Sequence, residues 1–213
     1  MNLKLFLPSI LLLLSGCSET TKESEFLPLP KEQKIIKEID TIPDRIKTTA
    51  ELHDSSGAAG VYEVGKMLAL TVRDSSDLQH MAQKMSRAFT QLELEVKALG
   101  LKASGAPGCI TFSDDPNNTV FECLIPLDSI PKKKPRFCNV AIIKGEDMLI
   151  YNHYGEYGKI DASYRKIISI MKKSGLLKTG PLREFYITDP ATEQDTSKWL
   201  TRIMVPVMKK ANQ

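Results

Sequence analysis

Gly180-Pro181-Leu182-Arg183-Glu184-Phe185-Tyr186-Ile187-Thr188-Asp189-Pro190 reads as a turn, a strand and a second turn, with Gly-Pro and Asp-Pro as the punctuation. The same succession occurs earlier in the chain. Gly105-Ala106-Pro107 opens it, Cys109 to Phe112 is the strand, and Asp115-Pro116 closes it. Outward from each copy the likeness continues. Met67-Leu68-Ala69-Leu70-Thr71-Val72 and Met148-Leu149-Ile150-Tyr151-Asn152-His153 read as strands, and a helical pattern follows each. In the first, Leu78, Met81, Ala82, Met85, Phe89, Leu92, Val96 and Leu99 recur at spacings of three and four, with Ser76 and Gln79 as a capping box and Gly100 as the stop. In the second, Ile160, Tyr164, Ile167, Ile168 and Met171 repeat the pattern up to Gly175. Each copy ends in an apolar strand carrying a proline, Phe121 to Leu127 and Arg202 to Val207. Strand, helix, strand, strand, twice over, predicts an α+β fold: a duplicated β-α-β-β module with pseudo-two-fold symmetry, antiparallel sheet with helices packed on it. Repeat one spans about 60–130 and repeat two about 138–209. The junction between them is the expected place for a ligand groove.

Composition narrows the function. The 213 residues carry 29 Lys+Arg against 26 Asp+Glu, a net +3 that argues against a nucleic-acid surface as the main business of the molecule. Lys132-Lys133-Lys134-Pro135-Arg136, between the repeats, reads as a solvated connector. The four cysteines show no C-x-x-C spacing, so no metal site and no cofactor is expected. Cys109 and Cys123 flank the Asp115-Pro116-Asn117-Asn118 turn at nearly equal distances. Whether they pair depends on a register that one residue would upset.

At the N-terminus Lys4 precedes an apolar run from Leu5 to Leu14, too short to span a bilayer and suited to an export signal. It ends in Leu14-Ser15-Gly16-Cys17, which resembles a bacterial lipobox. That resemblance implies a signal peptide over 1–16, cleavage before Cys17, and palmitate-type acyl chains on Cys17 that anchor the protein to a membrane without spanning it. Ser18 is not the aspartate that commonly retains lipoproteins at the inner membrane, so the expected location is the outer membrane facing the periplasm in a Gram-negative cell. Residues 17–59, polar and broken by Pro28, Pro30 and Pro43, read as a tether with a short periodic piece around Ile35, Ile36 and Ile39.

His153-Tyr154-Gly155-Glu156-Tyr157, the Gly180–Pro190 stretch and Trp199-Leu200-Thr201-Arg202-Ile203-Met204-Val205-Pro206-Val207 together resemble the GyrI-like small-molecule-binding domain, also known as the effector-binding domain of AraC-type and multidrug-responsive regulators. The resemblance covers about 60–209, the second half by residues and the first by pattern. It implies that an acidic residue on the strand before the Asp-Pro turn sits at the base of the groove and meets cationic or polar ligands. By position this is Glu184. No helix-turn-helix precedes the domain, so regulation of transcription and gyrase inhibition are not expected here.

The residues support the same choice. With period two, Leu182, Glu184 and Tyr186 share one strand face, and a carboxylate beside an aromatic ring can meet an organic cation through charge and the ring face. Ile110 is the expected equivalent in the first repeat, which has no acid there. The competing reading is an edge-strand charge facing water or paired with Arg202. Tyr157 and Tyr164, seven apart and so expected on one helix face, Trp199 at a strand entry and His153 before the helix complete the candidate ligand-binding set. Each also has a packing or local hydrogen-bonding reading. His53 and His80 show no partner pattern.

The preferred expectation is an extracytoplasmic lipoprotein that binds a small amphipathic molecule, organic cations included, between its repeats. The alternative is a hydrolase of small reactive electrophiles, since some relatives are such enzymes, with Glu184 as general base and Tyr186 beside it. A tetrapyrrole carrier of similar duplicated build is a third possibility, without an axial-ligand motif to support it.

Overall fold

Alternation along the strands assigns side chains to two opposite faces. The computed structural model describes residues 47–48, 59–113 and 115–210, and the signal, Cys17, most of the tether and His53 lie outside them. In chain order the elements are β1 (Lys47–Thr48), β2 (Ala59–Val64), β3 (Met67–Ser76), α1 (Leu78–Ala98), β4 (Gly108–Thr111), β5 (Thr119–Pro126), β6 (Asn139–Ile143), β7 (Glu146–Tyr154), α2 (Asp161–Lys173), β8 (Leu176–Lys178), β9 (Leu182–Tyr186) and β10 (Leu200–Lys209). Among the described residues every strand pairing is antiparallel, and the sheet runs β1-β2-β7-β10-β9-β4-β5-β3-β6, with β8 added to the end of β10. The α+β class and the duplication are as the sequence predicts: β3-α1-β4-β5 and β7-α2-β9-β10 meet where β4 pairs with β9.

The helices lie on one face, each over its own repeat. Ala88, Phe89, Leu92 and Val96 of α1 pack on Leu68, Leu70, Cys109, Phe121, Cys123 and Ile125. Ile167 of α2, with Tyr164, Ile170 and Met171 beside it, packs on Leu149, Tyr151, Ile203, Val205 and Val207. The intervening residues Ala69, Leu124, Met148, Ile150, Phe185 and Met204 point the other way and form a third cluster. Each fully buried Leu, Ile or Phe among these contributes about 1.5–3 kcal/mol of hydrophobic stabilisation. Ile143 of β6, Val64 of β2 and Met67 of β3 join this third cluster. Strands from both ends of the hydrogen-bonding order therefore meet, and the sheet is curled.

That curl has a covalent cause. Each repeat carries a leading strand, β2 before β3 and β6 before β7, yet β2 pairs with β7 and β6 with β3. The two short links cross. A Cβ on Gly145 would stand 2.6 Å from the Val64 carbonyl oxygen and 2.7 Å from Gly65 and Lys66 backbone atoms, so only glycine admits the crossing. Arg183, buried on the third-cluster side of β9, ties into it by pairing with Glu146 and donating to the Lys144 carbonyl at 3.0 Å.

The helix ends need one correction. α1 is capped by Asp77, whose carboxylate accepts from the His80 amide at 2.8 Å, while Ser76 remains in β3. An aspartate one residue further on satisfies the exposed amide, so the expected Ser76–Gln79 box does not form. The same carboxylate also meets the His80 ring, giving that histidine a partner the sequence did not show. Gly100 and Gly175 stop the helices at φ 63° and 62°, the left-handed geometry a helix end favours in glycine.

Candidate functional site

Glu184 stands in the middle of β9, where the hydrophobic cluster under α1 gives way to the one under α2. Its strand neighbours on the same face go to different sides: Tyr186 joins the α1 cluster and Leu182 the α2 cluster. The carboxylate thus lies in the seam between the two helices. Tyr164 of α2 donates its hydroxyl to Glu184 Oε1, and Tyr186 donates to Oε2 at 3.2 Å. Among the described residues no lysine or arginine forms an ion pair with it. Arg202, the alternative partner, instead donates to Asn152 at 3.2 Å and stands opposite Phe185 in the register.

Electrostatics follow from that enclosure. Burial raises the Glu184 carboxyl above its ordinary range, against the lowering effect of the two tyrosine hydrogen bonds and of His153 nearby. Tyr164 and Tyr186 are both pushed well above an ordinary phenol by burial first and the adjacent carboxylate second, so they remain donors. Tyr157 is pushed up to about 12, chiefly by burial.

An aromatic wall adjoins the carboxylate. Tyr157 meets Tyr186 edge to face at 5.7 Å and Trp199 at 5.4 Å, tilted by 36°, while Phe89 of α1 meets Tyr186 edge to face at 5.9 Å. Trp199 is fixed by its indole N–H, which donates to the Glu193 carbonyl at 2.8 Å. Tyr157 and Tyr164 do not share a helix face as expected. α2 begins at Asp161, and Tyr157 sits in a separate 3-10 turn over Tyr157–Lys159, so the two side chains reach the seam from different elements. His153, on β7, has Nδ1 2.8 Å from the Ser163 hydroxyl and Nε2 3.3 Å from the Glu156 carbonyl, a local brace between β7 and the entry to α2.

Two neighbours escaped the sequence reading. Phe89 was legible only as a core residue of α1. Cys109, not Ile110, is the counterpart of Glu184: Cys123 and Ile203 each stand three residues before the matching Pro126 and Pro206, and they pair with Cys109 and Glu184 respectively. Cys109 and Glu184 also face each other directly across the β4–β9 boundary. Ile110 points into the opposite, third cluster. Counting from the closing prolines rather than from the Gly-Pro turns would have found this. Gly108 lets the strands approach there, since a Cβ would stand 2.6 Å from the Glu184 carbonyl oxygen.

A separate open depression of about 810 Å³ lies at the strand crossing, lined by Lys66, Lys144, Gly145, Glu146 and neighbours. None of the candidate residues lines it, and it lacks aromatic walls.

The fold is thus a duplicated α+β module, with an acid-and-tyrosine cluster between its helices. Residues 67–208 match the GyrI-like small molecule binding domain, and the chain belongs to that family. No curated protein matches it in sequence. Among solved structures it is similar to the EcmrR C-terminal domain, at 20% identity and TM-score 0.61 over 71% of this chain and 98% of that one. It is also similar to SAV2435 bound to tetraphenylphosphonium, at 15% identity and TM-score 0.52 over 70% and 93% of the two chains. A hydrolase from Listeria innocua is similar at 12% identity and TM-score 0.53, over 70% and 91%. At these identities the likenesses speak for the fold.

Proposed function

We propose that this chain is an extracytoplasmic, membrane-anchored lipoprotein whose GyrI-like domain binds a small amphipathic organic cation in the seam between its repeats. The observation that carries the ligand class is Glu184: an enclosed carboxylate with hydroxyl donors, aromatic rings nearby and no lysine or arginine ion pair among the described residues. A delocalised cation brings the missing charge without the hydration cost of an ammonium, and the rings of Tyr157, Tyr186 and Trp199 offer faces and apolar area. Tyr164 exchanges its bond to Oε1 for the incoming ligand. The family and the tetraphenylphosphonium complex of SAV2435 support this reading. Anchoring rests on Leu14-Ser15-Gly16-Cys17 and the apolar run before it.

Calorimetric titration with tetraphenylphosphonium, comparing wild type with Glu184→Gln, tests the site. Saturable binding that weakens at least tenfold in the variant, with the cation recovered unchanged, is the expected result. Equal affinity in the two proteins refutes the counter-charge. Consumption of a small ester or other electrophile at a rate lost in Glu184→Gln would instead favour the hydrolase reading, in which the same carboxylate is the general base. Anchoring is tested by fractionating cells expressing the full chain, where Cys17→Ser should release it from the membrane pellet.

A further inference from the structure

We propose that Cys109 and Cys123 are a disulfide site, oxidised as a pair to clamp β4 to β5 beneath the ligand seam. The register carries the inference. Phe112 donates its amide to the Val120 carbonyl at 2.8 Å, which makes that pair a hydrogen-bonded one. Hydrogen-bonded and non-hydrogen-bonded pairs alternate along an antiparallel ladder, so Cys109 and Cys123, three steps away, form a non-hydrogen-bonded pair. In such pairs the Cα atoms approach to about 4.5 Å, inside the range of roughly 4.4–6.8 Å that a disulfide spans. Both side chains point to the α1 face, and their sulfurs are 4.0 Å apart. Side-chain rotation alone closes the remaining gap.

The third thiol is excluded by the same geometry. Extending the β3–β6 register places Cys138 opposite Val72, and Val72 is opposite Cys123. Cys138 is therefore two strand spacings from Cys123, about 9.6 Å, beyond the reach of a disulfide.

The oxidant is a disulfide, small or protein-borne. One cysteine thiolate attacks it, forming a mixed disulfide and releasing one thiolate. The second cysteine thiolate then displaces the other, so the pair gives up two protons and two electrons and the oxidant leaves as two thiols. In the folded chain both thiols are buried, and the hydrogen bond to the Cys109 thiol together with burial pushes the Cys123 thiol up, which keeps it protonated and inert. Exchange therefore belongs to the folding chain, before α1 covers the pair.

The test needs no ligand and is independent of the function proposed above. The full chain carrying Cys17→Ser is unfolded, refolded in excess glutathione disulfide, alkylated and digested without reduction. The expected product is one linked peptide pair joining Cys109 to Cys123, lighter by two hydrogen atoms, with Cys138 alkylated. The melting temperature should rise by several degrees over the reduced protein, and Cys109→Ala should abolish the rise. Alkylation or glutathione adducts at both Cys109 and Cys123, or a link from either to Cys138, would overturn the proposal, and this mass readout on the chain with both thiols holds whether or not Cys109→Ala folds.

Discussion

Glu184 is a carboxylate whose enclosure raises its affinity for a proton, and this fixes the sign of two pH effects. Because the folded state holds that proton more tightly than the unfolded chain, the contribution of this group to stability is fully present at pH below the ordinary carboxylate range. It falls as pH rises from there to the raised folded value. Chemical denaturation across that window should show the decline in wild type and a flatter profile in Glu184→Gln. Binding of an organic cation requires the ionised form, so affinity should climb with pH up to the same raised value and then level. Tyr164→Phe removes a hydrogen bond that lowers the Glu184 value. The midpoint of the affinity–pH curve should therefore move upward in that variant, and an unmoved midpoint would mean that the hydroxyl does not govern the carboxylate. At this scale the sequence was partly legible. Period two placed Glu184 and Tyr186 on one face, but the convergence of Tyr164 depends on where α2 starts, and an early 3-10 turn at Tyr157 shifts that start beyond what apolar spacing records.

Among the elements, β9 is held from both sides by features that substitution can separate. Gly108→Ala sets a methyl group against the Glu184 carbonyl and the Phe185 ring, and should cost about 1–3 kcal/mol in urea unfolding by forcing β4 away from β9. On the other face Arg183 is buried in its pairing with Glu146. Replacing only the arginine, as in Arg183→Met, strands a partly buried carboxylate and should destabilise by roughly 3–5 kcal/mol, whereas adding Glu146→Leu should recover much of the loss. A double variant as unstable as the single one would show that Arg183 acts through its bond to the Lys144 carbonyl rather than through the ion pair. Strands and helices were legible because their periods are local. The Ser76 box failed because Ser76 and Asp77 offer equivalent chemistry one residue apart, and the end of β3 decides between them.

For the molecule as a whole, duplication was readable from recurring turn residues, but the exchange of leading strands was not, because Val64-Gly65-Lys66-Met67 looks like an ordinary hairpin link. Pairing of β2 with β7 depends on contacts remote in sequence, which no local pattern reports. A chain beginning at Met67 retains the residues that match the family yet loses β2, leaving the β7 edge bare and removing Ala59 and Val61 from the α2 cluster. Its melting temperature should fall and its tendency to aggregate should rise relative to a chain that keeps residue 59 onward.

The crossed links also impose an order on synthesis. While the first repeat emerges from the ribosome, β2 has no β7 to join and the free edge of β3 has no β6. Both partners lie in residues 139–154, so neither edge is covered until the second repeat has been made. A delay in completing that half therefore prolongs the time these strand edges lie open to neighbours.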